Sequence, residues 1–303
     1  MNFKDSLVVG ISSRALFDLE KENEIYERDG LDAYRAYQID HEKDILKPGA
    51  GFQLVKALMR INESSKDRRT EIIIMSRNSA DTSLRIFNSL DYYNLDVSRA
   101  ALAGGMSISP YLPAFDTDLF LSANEEDVQH AIDEGFAAGI ICTNPGFAID
   151  PKDEIEQIHI AFDGDAVIFS DEAEAIYKEK GLEAFVEHEK CNAENPLPKG
   201  PFAKLLKTLS DLQREFPPES VPIRTALVTA RNAPAHERVI KTLDAWGVRI
   251  DEAFFLGGME KSQVLKAFGA HIFFDDQATH VDPASEFVPS ARVPYESGSK
   301  LAK

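Results

Sequence analysis

The chain repeats itself, and this constrains its fold more than any other feature. Adding 151 to residues 12–58 places Ala15 on Ala166, Ile25-Tyr26 on Ile176-Tyr177, Gly30-Leu31 on Gly181-Leu182 and Ala33 on Ala184, without a gap. Leu46, Gly49, Leu54, Lys56 and Leu58 fall on Leu197, Gly200, Leu205, Lys207 and Leu209. At an offset of 153 the match resumes: Ser76 on Thr229, Arg85 on Arg238, Leu90-Asp91 on Leu243-Asp244, Gly104-Gly105-Met106 on Gly257-Gly258-Met259, and Phe120 on Phe273. Apolar and glycine positions that recur at one spacing define two copies of one supersecondary unit. The copies join near residues 141–157, where T-N-P-G marks a turn.

Each copy gives the same order of elements. An apolar strand (7–11; 158–162) leads into a charged helical segment (17–34; 171–189). A loop marked by Pro and Gly (46–51; 195–201) precedes an amphipathic helix (52–61; 202–216). Then come a strand (71–75; 225–228), a helix (81–93; 235–246), a strand ending in Gly-Gly (100–103; 253–256) and a last strand (118–121; 271–274). Strands alternating with helices predict parallel sheets, hence a doubly wound, Rossmann-like α/β fold of two lobes, 1–150 and 151–303.

Ligands of open α/β sheets bind beyond the carboxyl ends of the strands, and there the two copies differ. In the second, the strand 158–162 runs into Asp163-Gly164-Asp165, whose carboxylates at i and i+2 project to the same side. Like charges so placed call for a cation or a shared proton, and an all-oxygen site suits Mg²⁺. Alone, the pair also reads as a polar strand end. The downstream strands add Thr229 in A-L-V-T-A-R-N, Lys261 in G-G-M-E-K-S and Asp275-Asp276 in H-I-F-F-D-D-Q. At the matching positions the first copy has Ser12, Arg14, Ser76, Ile108, Ser122 and Ala123. The second half is therefore expected to work, with the first as scaffold, interface or regulatory pocket.

A hydroxyl, a lysine and four carboxylates on neighbouring strand ends suit metal-assisted phosphoryl transfer. Mg²⁺ and Lys261 would offset the charge on the phosphate. Thr229 would donate to a phosphate oxygen, and Gly164 and Ala230 would let backbone N–H groups approach. Asp163 is the expected nucleophile, and Asp165 the acid and then the base. The expected metal ligands are Asp163, Asp165 and Asp275. Asp276 either joins them through water or orients Lys261.

These motifs, in this order, resemble the haloacid dehalogenase superfamily of aspartate-nucleophile phosphatases. The wording S-S-R-A-L-F-D, K-P-G, F-D-G-D-A-V-I-F-S-D-E, E-H-E-K, P-I-R-T-A-L-V-T-A-R, H-I-F-F-D-D-Q and V-P-Y is similar to the cytosolic type I 5′-nucleotidases, over residues 7–295. The resemblance implies a haloacid dehalogenase-like fold and Mg²⁺-dependent hydrolysis of nucleoside 5′-monophosphates, AMP above all. It also implies a cytosolic homo-oligomer and a nucleotide effector. A cap over the site is implied at about 171–222, where Phe185, His188, Glu189, Lys190 and Asn195 either meet base and ribose or form a solvated helix face. Arg231 and Asn232 read either as phosphate or ribose contacts or as structural residues, since the first copy also has R-N at Arg77-Asn78.

Composition narrows the field further. The formal charge of −18 and pI near 4.8 argue against nonspecific binding to nucleic acid or anionic membranes. No run approaches a membrane-spanning length, and the N-terminal stretch has no long apolar core or cleavage site, so a cytoplasmic protein is expected. Cys142 and Cys191 form no C-x-x-C, which fits a reducing compartment. No G-x-x-x-x-G-K-[ST] or G-x-G-x-x-G occurs, so kinase and dinucleotide readings have no motif. H-E-K-C-N departs from H-E-x-x-H and supports no zinc site. Two alternatives stay open: a phosphatase for another small monoester such as a sugar phosphate, and a nucleotide sensor with little turnover.

Overall fold

The computed structural model describes residues 6–63, 65, 67–143 and 146–302. Asn144 and Pro145 of the T-N-P-G stretch, and the first five residues of the N-terminal stretch, lie outside the described residues.

Ten strands form one central sheet: β1 (Leu7–Ile11), β2 (Thr70–Ser76), β3 (Arg99–Leu102), β4 (Leu119–Ser122), β5 (Ala137–Ile141), β6 (Ile158–Phe162), β7 (Ile223–Thr229), β8 (Glu252–Phe255), β9 (Ile272–Asp275) and β10 (Ser290–Arg292). The order across it is β8-β7-β6-β9-β10-β5-β4-β1-β2-β3. Replacing each strand by its counterpart in the other half gives the same order read backwards. All neighbours are parallel except the central pair, β5 with β10, which is antiparallel with Ala291 opposite Ile141. Two like units meeting edge to edge about a local two-fold must pair their edge strands antiparallel. The α/β class with a mostly parallel sheet is the one expected, but the two expected sheets are fused into one.

Each half also carries a strand that the periodicity missed. β5 follows β4, and β10 follows β9. Both are short (A-A-G-I-I and S-A-R) and have little alternation to read. The central strands are long apolar runs because both of their faces are covered. In β1, β2 and β4 every residue is buried.

Helices α1 (Glu20–Asp29), α2 (Leu31–Asp40), α3 (Phe52–Glu63), α4 (Leu84–Tyr92) and α5 (Glu125–Asp133) belong to the first half. To the second belong α6 (Glu172–Cys191), α7 (Ala203–Arg214), α8 (His236–Ala245), α9 (Ser262–Phe268) and α10 (Ala278–Ala284). Gly30, with φ 83° and ψ −176°, separates α1 from α2, and Gly181, with φ 82° and ψ −178°, puts the same break inside α6. A side chain at either position would strain the backbone, so the repeated glycine sets one bend twice.

The two halves share one core. α3 of the first half packs on β6 of the second, and α7 of the second packs on β1 of the first. Leu7, Leu54, Leu58, Ile160, Leu205, Leu209 and Phe274 interleave there, all fully or nearly fully buried. α7 is thus a core helix. Of the span 171–222, it is α6 that reaches the strand ends.

Candidate active site

The site lies at the carboxyl ends of β6, β7 and β9. These ends are held from below by packed rings: Phe162 stacked on Phe274 at 5.6 Å between centroids, and Phe202 tilted against Phe274 at 4.9 Å. β6 continues into Asp163, whose N–H donates to the carbonyl of Phe274 at 2.8 Å. This bond ties the ends of two adjacent strands and fixes Asp163 beside Asp275.

Asp163, Asp275 and Asp276 each bring one carboxylate oxygen to within 4.8 Å of the others, and all three residues are buried. Lys261, 2% exposed, stands among them, its Nζ 2.7 Å from Oδ1 of Asp163 and 2.6 Å from Oδ2 of Asp275. Burial opposes its charge, but the two carboxylates outweigh burial and hold the ammonium protonated well above the usual lysine range. Asp275 also accepts from the Gln277 N–H at 2.8 Å and lies 3.1 Å from His280 Nδ1. Burial raises its pKa, yet His280 and Lys261 bring it below the ordinary carboxylate value.

The other two carboxylates go the opposite way. Burial, with Asp275 beside it, lifts Asp163 to about 7 despite Lys261. Burial, then Asp163 and Glu174, lifts Asp276 to about 9. One lysine does not neutralise three crowded carboxylates, and protons make up the difference. Tyr295 OH contacts both Asp276 Oδ2 and Glu174 Oε1 but has one proton to donate. Oδ1 of Asp276 and Oε2 of Glu174 are buried with no hydrogen-bond partner. Orphaned carboxylate oxygens around a small space are what a divalent cation would satisfy, and hard oxygen donors fit Mg²⁺.

Asp165 stands apart from this group. Its two oxygens accept from Arg231 Nε at 2.8 Å and Nη2 at 2.7 Å, a bidentate pair. Arg231 Nη1 pairs with Glu189, and Glu189 also accepts from Arg238 Nη1 at 2.8 Å. The Arg231 guanidinium sits 5.3 Å over the ring of Phe185. Glu189 lies at the end of α6 and is 1% exposed. This buried network therefore ties α6, the turn after β7 and Asp165 together.

Several expectations change with this geometry. Asp165 is not in the carboxylate group proposed to hold metal, because Arg231 engages it. The Arg231 fork is engaged by two carboxylates, Asp165 and Glu189. Glu189 faces inward with both oxygens used, so it is not a base or ribose contact. Asn195 offers its carbonyl to Arg238 Nε at 2.9 Å, and Lys190 is exposed. His188 is half-buried and lies 3.1 Å from Glu189 Oε1. Thr229 is buried, with Oγ1 accepting from the Arg231 N–H at 3.2 Å. A Cβ on Gly164 would come within 3.3 Å of that same oxygen. Ala230 and Asn232 are exposed at the turn after β7.

Sequence reasoning missed His280, Glu174 and Tyr295. His280 was indistinguishable from the other histidines by spacing. A sequence signal exists only in its position five residues after Asp275, on the helix that β9 feeds. Tyr295 lies in the V-P-Y stretch, whose return to the site depends on β10.

The whole-chain comparison now decides the family. The family model described as 5′-nucleotidase matches residues 1–300. The chain belongs to the 5′-nucleotidase family. It is similar to human cytosolic 5′-nucleotidase 1B, 40% identical over 292 residues that cover 93% of this chain and 47% of the human protein. The chain therefore spans about half the length of this curated relative. No solved structure matches it. Among the described residues, no helix is long and apolar enough to cross a membrane.

Proposed function

We propose that the chain is a Mg²⁺-dependent 5′-nucleotidase that hydrolyses nucleoside 5′-monophosphates, AMP preferred, through an aspartyl phosphate on Asp163. The observation that carries this reading is the buried triad of carboxylates around Lys261 at adjacent parallel strand ends, in a chain of this family. Residues 151–303 are the working half on this reading, and 1–150 the degenerate one.

Asp163, Asp275 and Asp276 would hold Mg²⁺, which supplies positive charge against the phosphate oxygens. Lys261 keeps Asp163 in reach and favours its anion. The Asp163 carboxylate attacks phosphorus, the bond from phosphorus to the ester oxygen breaks, and Asp165 gives that oxygen a proton. Asp165 then takes a proton from water, whose oxygen displaces Asp163 and releases phosphate. In the described geometry both oxygens of Asp165 are engaged by Arg231, so the acid step requires this pair to open. A phosphate seated at Gly164, Thr229 and the Ala230 turn is the natural competitor for the Arg231 guanidinium, and Asn232 and His188 would meet the nucleoside.

The relative's name says cytosolic, and a cytosolic homo-oligomer with a nucleotide effector completes the proposal. Phosphate release from nucleoside 5′-monophosphates and sugar phosphates, with Mg²⁺ or with EDTA, tests it. AMP leading and EDTA abolishing release is the expected result. Sugar phosphates leading would keep the chemistry and discard the substrate.

A further inference from the structure

The first half holds a cavity of about 320 Å³ at the place that corresponds to the carboxylate site. That is at the small end of the range for ligand pockets. Its floor is made by the strand ends of β1 and β2, with Ser13, Arg14, Arg77 and Asn78, and Tyr26 and Tyr34 from α1 and α2 stand over them. No carboxylate from the strand ends enters it. Ser12, Arg14, Ser122 and Ala123 replace Asp163, Asp165, Asp275 and Asp276.

A chain of hydrogen bonds fixes a free donor in this cavity. A guanidinium only donates, so Arg85 Nη1 makes Gln38 Oε1 an acceptor, at 3.4 Å. Gln38 Nε2 must then donate to Tyr34 OH, at 3.0 Å. The Tyr34 proton goes to Asn78 Oδ1, at 3.1 Å. Nδ2 of Asn78 is left buried with no partner. A buried amide donor without an acceptor is costly, and Asn78 is one of the residues that line the cavity.

The two arginines add donors of the same kind. Arg14 uses Nε and Nη2 on Glu20, both at 2.9 Å. Arg77 uses the same two nitrogens on Asp127. In each, Nη1 has no partner among the described residues. The Ser13 hydroxyl completes the floor, 3.0 Å from that of Ser76 behind it. The one acidic lining residue, Glu22, is occupied by Arg85 at 2.5 Å. Donors without acceptors, beneath a wall of two tyrosines, Leu19 and Leu31, describe an oxyanion joined to a less polar body.

The geometry points to a second ligand site in the first half, one that takes a small organic phosphate and holds it without metal. The site is independent of the nucleotidase reading, because its residues are not those of the carboxylate group.

Calorimetry of AMP, ribose 5-phosphate and inorganic phosphate in EDTA tests this, using the full chain carrying Asp163→Asn to prevent turnover. One AMP per chain is expected to bind without metal. Asn78→Asp, which keeps the Tyr34 acceptor and removes the donor, and Arg14→Gln are each expected to weaken binding about tenfold or more. Thr229→Val, in the other half, is expected to leave it unchanged. Melting curves check that each variant folds, and the two variants lie on different elements, so either one suffices. No binding without metal, or binding lost in Thr229→Val and untouched by both first-half variants, would overturn the site. Inorganic phosphate binding as tightly as AMP would overturn its organic part.

Discussion

The two halves of this sheet present the same strand ends to solvent and do opposite things with them. In the second half, three buried carboxylates and a lysine crowd at β6 and β9, two of them carrying raised pKa values for want of a second cation. In the first half, serines and an arginine fill the matching positions, and what is in excess is donors. On the proposed reading, the difference separates the residues the fold needs from those the chemistry needs. Gly30 and Gly181, Gly49 and Gly200, and the Arg85 and Arg238 pair occur in both halves, so they belong to the unit. Asp163, Asp165, Lys261, Asp275 and Asp276 occur in one, and no backbone requirement explains them.

The sharpest way to break this contrast is at the proposed proton shuttle, Asp165. Asp165→Asn is expected to slow release of phosphate from AMP by about 10²–10⁴-fold, the usual worth of a positioned acid or base. An aryl phosphate, whose leaving group needs no proton, is expected to lose far less in the first, phosphoryl-transfer phase. Equal losses on both substrates in rapid-mixing kinetics would mean that Asp165 serves only to hold Arg231.

Next comes the cation that the second half alone has buried. Lys261→Met leaves the carboxylates uncompensated, where the first half has Ile108, and is expected to cost about 3–5 kcal/mol of stability in urea unfolding at neutral pH. Mg²⁺ is expected to restore part of that loss, since a ligand that binds only the folded chain stabilises it. No change in midpoint would mean that the lysine and the carboxylates are not coupled.

How far could such contrasts be read from residues alone? The repeat register located the strands, and the polar residues just past each strand stood out because their counterparts were bland. The opposition of Asp163, Lys261 and Asp275 follows from four neighbouring parallel strands, β8, β7, β6 and β9, an arrangement that alternating strands and helices predict. The Arg231 network did not follow. Glu189 lies on a helix of mixed polarity, and its inward face depends on a bend at Gly181 that places residue 189 over β7. His280 and Tyr295 were illegible for the same reason: each reaches the site through β10 or the helix before it, and S-A-R has no strand pattern of its own. The fusion into one sheet was hidden too, because an edge-to-edge antiparallel pair leaves no mark in periodicity.

A smaller effect is expected where one half uses charge and the other an amide. Glu189→Gln keeps the shape of the Arg231–Glu189–Arg238 network but removes its anion, and should cost about 2–3 kcal/mol in unfolding experiments. Burial raises the Glu189 pKa, but the two arginines bring it below the ordinary value. Its contribution is thus present at neutral pH and fades as pH falls through that lowered value. The reverse change at the matching position, Gln38→Glu, is expected to cost less, because Arg85 already stands there to receive the charge.

The smallest effect concerns His271, whose Nδ1 accepts from the His159 N–H at 2.9 Å. Burial, then His159, lowers it to about 4. The unfolded chain therefore binds the proton first as pH falls from about 6.5 to about 4, and stability declines across that window. Partial exposure screens the effect to about 1–2 kcal/mol. His271→Gln is expected to flatten that part of the stability profile, and an unchanged slope would assign the decline to other groups.

The central claim is that the second half carries the hydrolytic chemistry and the first half does not. Phosphate release from AMP by Asp163→Asn and by Ser12→Ala, measured side by side with Mg²⁺, tests it most directly. The account predicts that the first loses release to background while the second, at the matching strand end, stays within about threefold of the parent chain. Ser12 Oγ caps the short helix Ser13–Leu16 by accepting from the Ala15 N–H at 3.2 Å, and losing that cap costs about 1 kcal/mol of stability rather than of rate. Equal loss in both would contradict it, and so would release that survives Asp163→Asn.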